Sequence, residues 1–277
     1  MSGIRVSGIR VSGIRAATDL DLGGGRARNS GAWRAGWTYL LMELKRLPRN
    51  RRVLIFSMLM PAVLLLVFGG LNKGQDLNGV DASAYIMVSL GVFGSMTSVM
   101  GRGGSIAVER GIGWNRQLRL TPLRPSRYVA IKVATSLLMA VPPLVVVYLI
   151  GALALGVHLS AATWLLVFVG SWLGALPFAA LGVVIGYIAT PDSVQQISAL
   201  LYMLLAAFGG LWVPVEVMPR LMRDIAEFTP AYWVGQLARN PLFHGSLDPR
   251  ALLVLLAWAV GLGAIALRRF RADTARA

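Results

Sequence analysis

The chain has no cysteine, so disulfides, thiolate metal sites and cysteine nucleophiles are all excluded. It has only two histidines, His158 and His244, far apart in sequence, and no metal centre is expected on them. Charge is scarce as well, at 14% against 56% hydrophobic residues, well below the charged share of a soluble domain. Six long stretches contain no Asp, Glu, Lys, Arg or His at all: Val53–Leu71, Ala84–Gly101, Val133–Val157, Ala161–Ala189, Ile197–Val213 and Ala251–Leu267. Most reach the roughly 20 residues that a helix rising about 1.5 Å per residue needs to cross a hydrocarbon layer. The expectation is an all-α integral membrane protein with six transmembrane helices and no separate globular unit.

The missing intramembrane charge also bears on energetics. Carriers driven by protons or ions keep carboxylates, His or Lys inside the bilayer to bind the coupling ion. Here the spans offer only hydroxyls and ring edges, among them Ser57, Ser95, Thr97, Ser98, Ser136, Ser171, Tyr187 and Tyr202. Any uphill transport is therefore expected to draw its energy from outside the membrane. Intramembrane catalysis is disfavoured too, because Ser171 has no His within any span to activate it and G-x-S-x-G is absent. No catalytic, cofactor-binding or metal residue is assigned, and the chain is not expected to be an enzyme.

The charge that is present is lopsided, with a net of +15. Eleven Arg and Lys precede the first span, seven follow the second (Arg102 to Lys132) and four follow the sixth. The alternate connections hold five, of which four share their segment with four acids. The positive-inside rule then places both termini in the cytoplasm. Because the basic clusters flank spans, anionic lipid explains them and no nucleic-acid partner is expected.

Residues 1–31 read as a disordered basic cytoplasmic tail. The pentads SGIRV, SGIRV and SGIRA start at Ser2, Ser7 and Ser12, and a period of five fits neither helix nor strand. No cleavable signal peptide is expected, since no apolar core appears before Val53. Over 32–47, Trp33, Trp37, Leu40, Leu41, Leu44 and Leu47 recur at helical spacing with a basic face opposite. That pattern predicts a helix lying in the headgroup layer, seated by Trp33, Trp37 and Leu41, although a water-exposed amphipathic helix would read alike. Residues 272–277 form a second cytoplasmic tail.

Small residues and prolines forecast packing. Gly170, Gly174, Gly182 and Gly186 make two G-x-x-x-G pairs that permit close backbone approach, Pro177 interrupts the same span, and Pro142-Pro143 should bend the third. The connection over 105–132 reads SIAVERGIGWNRQLRLTPLRPSRYVAIK. Glu109-Arg110 with Gly111 and Gly113 marks a break, after which Trp114, Leu118, Leu120 and Leu123 alternate with arginines until Thr121-Pro122 and Pro125. A short amphipathic, Pro-terminated helix of this kind suits docking into a partner's groove; an ordinary charged loop has the same composition. Beyond the fifth span, Gly209-Gly210-Leu-Trp-Val-Pro214, Met218-Pro219 and Thr229-Pro230-Ala-Tyr232 read as an external hairpin over 214–250 that dips back into the bilayer. Leu221, Met222 and Ile225 would face lipid, and Asn240-Pro241 would close a second short segment.

These two motifs resemble those of ATP-binding-cassette (ABC) type 2 exporter permeases. Glu109, Arg110, Gly113, Leu118, Leu120, Thr121, Pro122, Tyr128 and Lys132 fit the family's coupling-helix segment; Trp114 and Ile131 depart from it, where Thr and Gly are usual. The resemblance covers nearly everything over 32–271 and implies a permease that pairs with a second copy or a paralogue. It also implies docking of an ATPase subunit on Glu109, Arg110, Gly113, Leu118, Leu120 and Pro122. The chain lacks G-x-x-x-x-G-K-[ST], so ATP and Mg would be held by that separate ATPase. Ser95, Met96, Tyr202 and Phe208 are candidates for the substrate path near the dimer seam. Drug-resistance permeases of the bacterial inner membrane look most similar, and the uncharged interior suits a lipophilic or amphiphilic cargo. Lipid-linked or polysaccharide cargo is the alternative within the family, and a membrane scaffold or channel the alternative outside it.

Overall fold

The computed structural model of the chain describes residues 37, 41, 42, 51–77, 79–113, 125–213, 215 and 218–276. The tail over 1–31, most of the 32–47 helix, including Trp33, and the 114–124 segment with Leu118, Leu120 and Pro122 lie outside the described residues.

The chain enters the bundle through α1, Arg51–Leu64, which widens into a π-helical turn at Leu65–Gly69. A small hairpin then pairs β1, Asp76–Leu77, antiparallel with β2, Val80–Asp81, around Gly79 at φ 85°. Asp81 ends the hairpin and caps α2, Ala82–Met100, by accepting a hydrogen bond from the Ser83 amide at 2.6 Å. The remaining helices are α3 (Gly103–Gly111), α4 (Pro125–Leu138), α5 (Val141–Leu153), α6 (Ala161–Gly174), α7 (Leu176–Ile188), α8 (Val194–Phe208), α9 (Arg220–Glu227), α10 (Pro230–His244) and α11 (Pro249–Arg276).

Among the described residues, four helical stretches are long and apolar enough to cross a membrane: Ala82–Gly111, Ser126–Leu153, Ala161–Ile188 and Pro249–Ala272. The first and fifth expected spans appear as shorter apolar helices, Ile55–Gly69 and Val194–Phe208. The second and third of these stretches break where proline lies ahead, at Met139-Ala140 before Pro142-Pro143 and at Ala175 before Pro177. Proline has no amide proton to donate and crowds the carbonyl one turn back, so the ladder is interrupted there.

Every residue of α2 except Ile86 and Thr97 is buried. A helix that is apolar all round belongs inside, and α2 is the axis against which α1, α5, α7 and α10 pack. On the outside, α11 lies along α7 and leaves Leu253, Val260 and Ile265 exposed.

The four glycines of the fourth span do bring backbones together, with two different partners. A Cβ on Gly170 would meet Leu237 O of α10 at 3.0 Å, and one on Gly174 would strike Val234 of the same helix. Past the break at Ala175, Gly182 faces the Met100 backbone, and a Cβ on Gly186 would meet Gly103 O at 2.7 Å.

Two local expectations need correction. The 105–132 connection is helical at both ends, to Gly111 and from Pro125, so Glu109 and Lys132 sit on helices instead of in a loop. Likewise α10 runs through Pro241 to His244 and stops at Gly245, whose left-handed φ of 66° suits glycine.

Candidate functional site

At one end of the bundle four helices converge on a small group of charged and aromatic side chains. Glu109, in the last turn of α3, is buried, and its Oε1 lies 2.8 Å from Lys132 Nζ on α4. Tyr128, one turn before Lys132, donates its hydroxyl to Glu109 Oε2 at 3.1 Å. The i, i+4 spacing of Tyr128 and Lys132 puts both on the α4 face that meets α3, and the ammonium lies 5.6 Å from the Tyr128 ring centroid. Lys132 is 1% exposed and Glu109 8%, so the pair sits well away from water.

Aromatic rings carry this group outward to two more helices. Tyr128 stacks on Phe270 of α11, with ring centroids 5.1 Å apart, and Phe270 meets Tyr187 of α7 edge-on at 5.9 Å. Arg110, next to Glu109, donates Nη1 to Gly186 O at 3.2 Å and to Ala189 O at 3.4 Å, at the C-terminal end of α7. A cation there complements the negative end of the helix dipole. Directly beyond, Gly113 adopts φ 74° and ends the α3 segment, and its amide donates to Arg110 O at 3.0 Å. The connection that follows is thus rooted at Glu109 and Arg110 on one side and at Tyr128 and Lys132 on the other.

Three of the six residues expected to couple an ATPase, Glu109, Arg110 and Gly113, therefore gather at this end. Trp37 and Leu41 are helical and outward-facing, Trp37 with 63% of its surface exposed. Ser95 and Met96 are buried in the axis helix, where Ser95 Oγ donates to Val92 O of its own turn. Tyr202 and Phe208 are half-buried, Tyr202 packing edge-on against Phe93. Among the described residues no group of three or more His, Cys, Asp and Glu is arranged to hold a metal.

Sequence reasoning missed two features. Tyr187 and Phe270 belong to the charged end yet stand far from Glu109 in the chain, and only their aromatic character near helix ends hinted at it. At the other end of α2, roughly 30 Å away at 1.5 Å per residue over Ser89 to Glu109, Arg239 of α10 is 3% exposed. Its Nη1 donates to Ser89 Oγ at 3.1 Å and Gly210 O at 3.0 Å, and its guanidinium carbon lies 4.8 Å from the Tyr85 ring centroid. A cavity of about 600 Å³ opens beside it, lined by Leu64, Phe68, Asn72, Tyr85, Ser89 and Leu90 among others. None of Ser95, Met96, Tyr202 and Phe208 lines this cavity.

Comparison with known proteins agrees with this arrangement. Residues 35–243 match the profile of the ABC-2 type transporter. The chain is also 34% identical over 221 residues to YvfS of Bacillus subtilis (strain 168), whose name describes a transport permease; the match covers 79% of this chain and 89% of that protein. An apolar helical bundle, a charged end at the roots of one connection, and a profile match over most of the length lead to one conclusion: the chain belongs to the ABC-2 type transporter family.

Proposed function

We propose that this chain is the membrane subunit of an ABC exporter that moves a lipophilic or amphiphilic, drug-like compound out of a bacterial cell. In this reading it crosses the inner membrane six times, with both termini in the cytoplasm and an external re-entrant hairpin formed by α9 and α10. It pairs with a second copy or a close paralogue, and a separate ATPase subunit holds ATP and Mg. The observation that carries the proposal is the buried Glu109–Lys132 pair. It clamps the roots of the connection over 112–124, so that a push delivered there reaches α7 and α11 through Arg110, Tyr187 and Phe270 instead of being absorbed in a slack loop. A scaffold or a passive pore has no use for such a clamp.

The test is gentle detergent purification of the tagged chain from its host, with mass spectrometry of the proteins that accompany it. An ABC ATPase should co-purify and be lost on Leu120→Asp, which alters the connection while leaving the buried pair intact, and on Glu109→Arg. Recovery of the chain without any ATPase, from membranes shown to contain one, would sink the proposal. Transport of candidate lipophilic drugs by the co-purified complex in vesicles then reads the cargo class, and a panel in which none moves would remove the drug-like assignment.

A further inference from the structure

The cavity beside Arg239 and the buried cation itself have no place in the coupling scheme, which lies at the far end of α2. Ser89 stands about two turns, on the order of 10 Å, inside the start of α2, so the guanidinium that binds it sits below the mouth of the bundle. An ionisable group at that depth is costly and is ordinarily retained for use. Its hydrogen-bond partners, a hydroxyl and a backbone carbonyl, are neutral, and among the described residues no carboxylate lies within ion-pair distance of it. A neutral Gln could tie Ser89 to Gly210 without carrying a charge into the bundle.

All three of its contacts, Ser89, Gly210 and Tyr85, also line the cavity, so the positive charge stands immediately behind the wall. The cavity's own surface is mainly apolar, built from α1, its π turn, α2 and the 210–213 segment, with Asn72, Gln75, Tyr85 and Ser89 as polar members. Its volume falls within the range of about 300–1,000 Å³ of small-molecule sites. π turns recur at such sites because the inserted residue displaces one segment of helix wall from the next.

We infer that this cavity binds an anionic amphiphile, with its apolar chain between α1 and α2 and its carboxylate or phosphate against the wall formed by Ser89, Tyr85 and Gly210, in the field of Arg239. The inference needs only a membrane-embedded chain, so it stands apart from the exporter reading and is tested without any ATPase.

The experiment uses the full chain in nanodiscs of phosphatidylcholine, labelled at pH 8 with a photoreactive 16-carbon fatty acid or with its uncharged methyl ester. The acid should label peptides containing Phe68 or Leu90, and dodecyl phosphate should displace it. Arg239→Gln should weaken acid labelling about tenfold or more, Arg239→Lys should retain most of it, and Ile86→Trp, which fills the cavity, should abolish it. Equal labelling of the unaltered chain by acid and ester would overturn the inference, as would acid labelling undiminished in a folded Arg239→Gln chain. Should Arg239→Gln fail to fold, the acid-against-ester comparison and Ile86→Trp decide alone. Phosphatidylglycerol carried through purification on the unaltered chain, but not on Ile86→Trp, would identify the occupant as resident lipid. A site that purifies empty and takes up the acid would identify it as an exchangeable ligand.

Discussion

Replacing Lys132 with Met should destabilise the protein far more than replacing Lys132 and Glu109 together. At 2.8 Å and an effective dielectric near 20, the gross attraction of the pair is about 6 kcal/mol. Most of it is offset by removing both ions from water, so the net contribution of the intact pair is small. Removing one partner leaves the other charge buried, with an expected loss of about 3–5 kcal/mol. At about 2–4 °C per kcal/mol for a chain of this size class, thermal unfolding should fall by roughly 6–20 °C. The double variant Glu109→Gln with Lys132→Met removes both charges, keeps similar volumes and leaves Tyr128 an amide oxygen to donate to. It should melt within about 1 kcal/mol of the unaltered protein. The assay is tryptophan-fluorescence melting of the purified chain in one detergent, arranged as a double-mutant cycle. If the single Lys132→Met costs under about 1 kcal/mol, as for an exposed pair, or if the double loss equals the sum of the singles, the account of this end of the bundle is wrong.

Three other outcomes follow from the packing. Gly103→Leu should lower stability by about 1–3 kcal/mol, because even a Cβ there meets Gly182 O at 2.5 Å, whereas Gly263→Ala on α11, with nothing within 4 Å, should melt within about 0.5 kcal/mol of the parent. Gly113→Val should cost about 1–2 kcal/mol, since a β-branched residue at φ 74° is strained, and Gly113→Asn should cost less in the same melting assay. The Tyr148 hydroxyl lies 2.7 Å from Ser171 Oγ inside the bundle; Tyr148→Phe or Ser171→Ala alone should each cost about 1–3 kcal/mol by leaving a buried hydroxyl unsatisfied, with the pair costing less than their sum in a double-mutant cycle.

How far the sequence could be read depended on whether the deciding interaction was local. Charge-free runs fall straight out of composition, and Pro142 and Pro177 break helices through their own covalent structure, so the long spans and their interruptions were visible. Glu109, Arg110 and Gly113 stood out because charge and glycine cluster at the end of an apolar run. Their helical setting did not, because α3 continues past the apolar window and is held there by packing against α7 and α8 and by the contacts of Glu109 with α4. Tyr187 and Phe270 join the same group from 78 and 161 positions beyond Glu109, a separation that no local pattern encodes. Arg239 was misjudged for a related reason. The inventory of intramembrane charge counted only residues inside the apolar runs, while a long side chain on a neighbouring helix can reach into them. The glycine ridge was legible as a ridge, yet its division between α10 and α3 came from the break at Ala175.

That break has a mechanical consequence. A continuous helix behaves as a stiff rod, and bending or twisting it strains a hydrogen bond at every turn. Here Pro177 withdraws a donor, and although both halves touch α2, they are otherwise fastened to different neighbours, α6 to α10 and α7 to α3 and α11. Within this span compliance is therefore concentrated at Ala175. Restoring the missing donor with Pro177→Ala would stiffen the link between the half of this span held by α10 and the half held by α3.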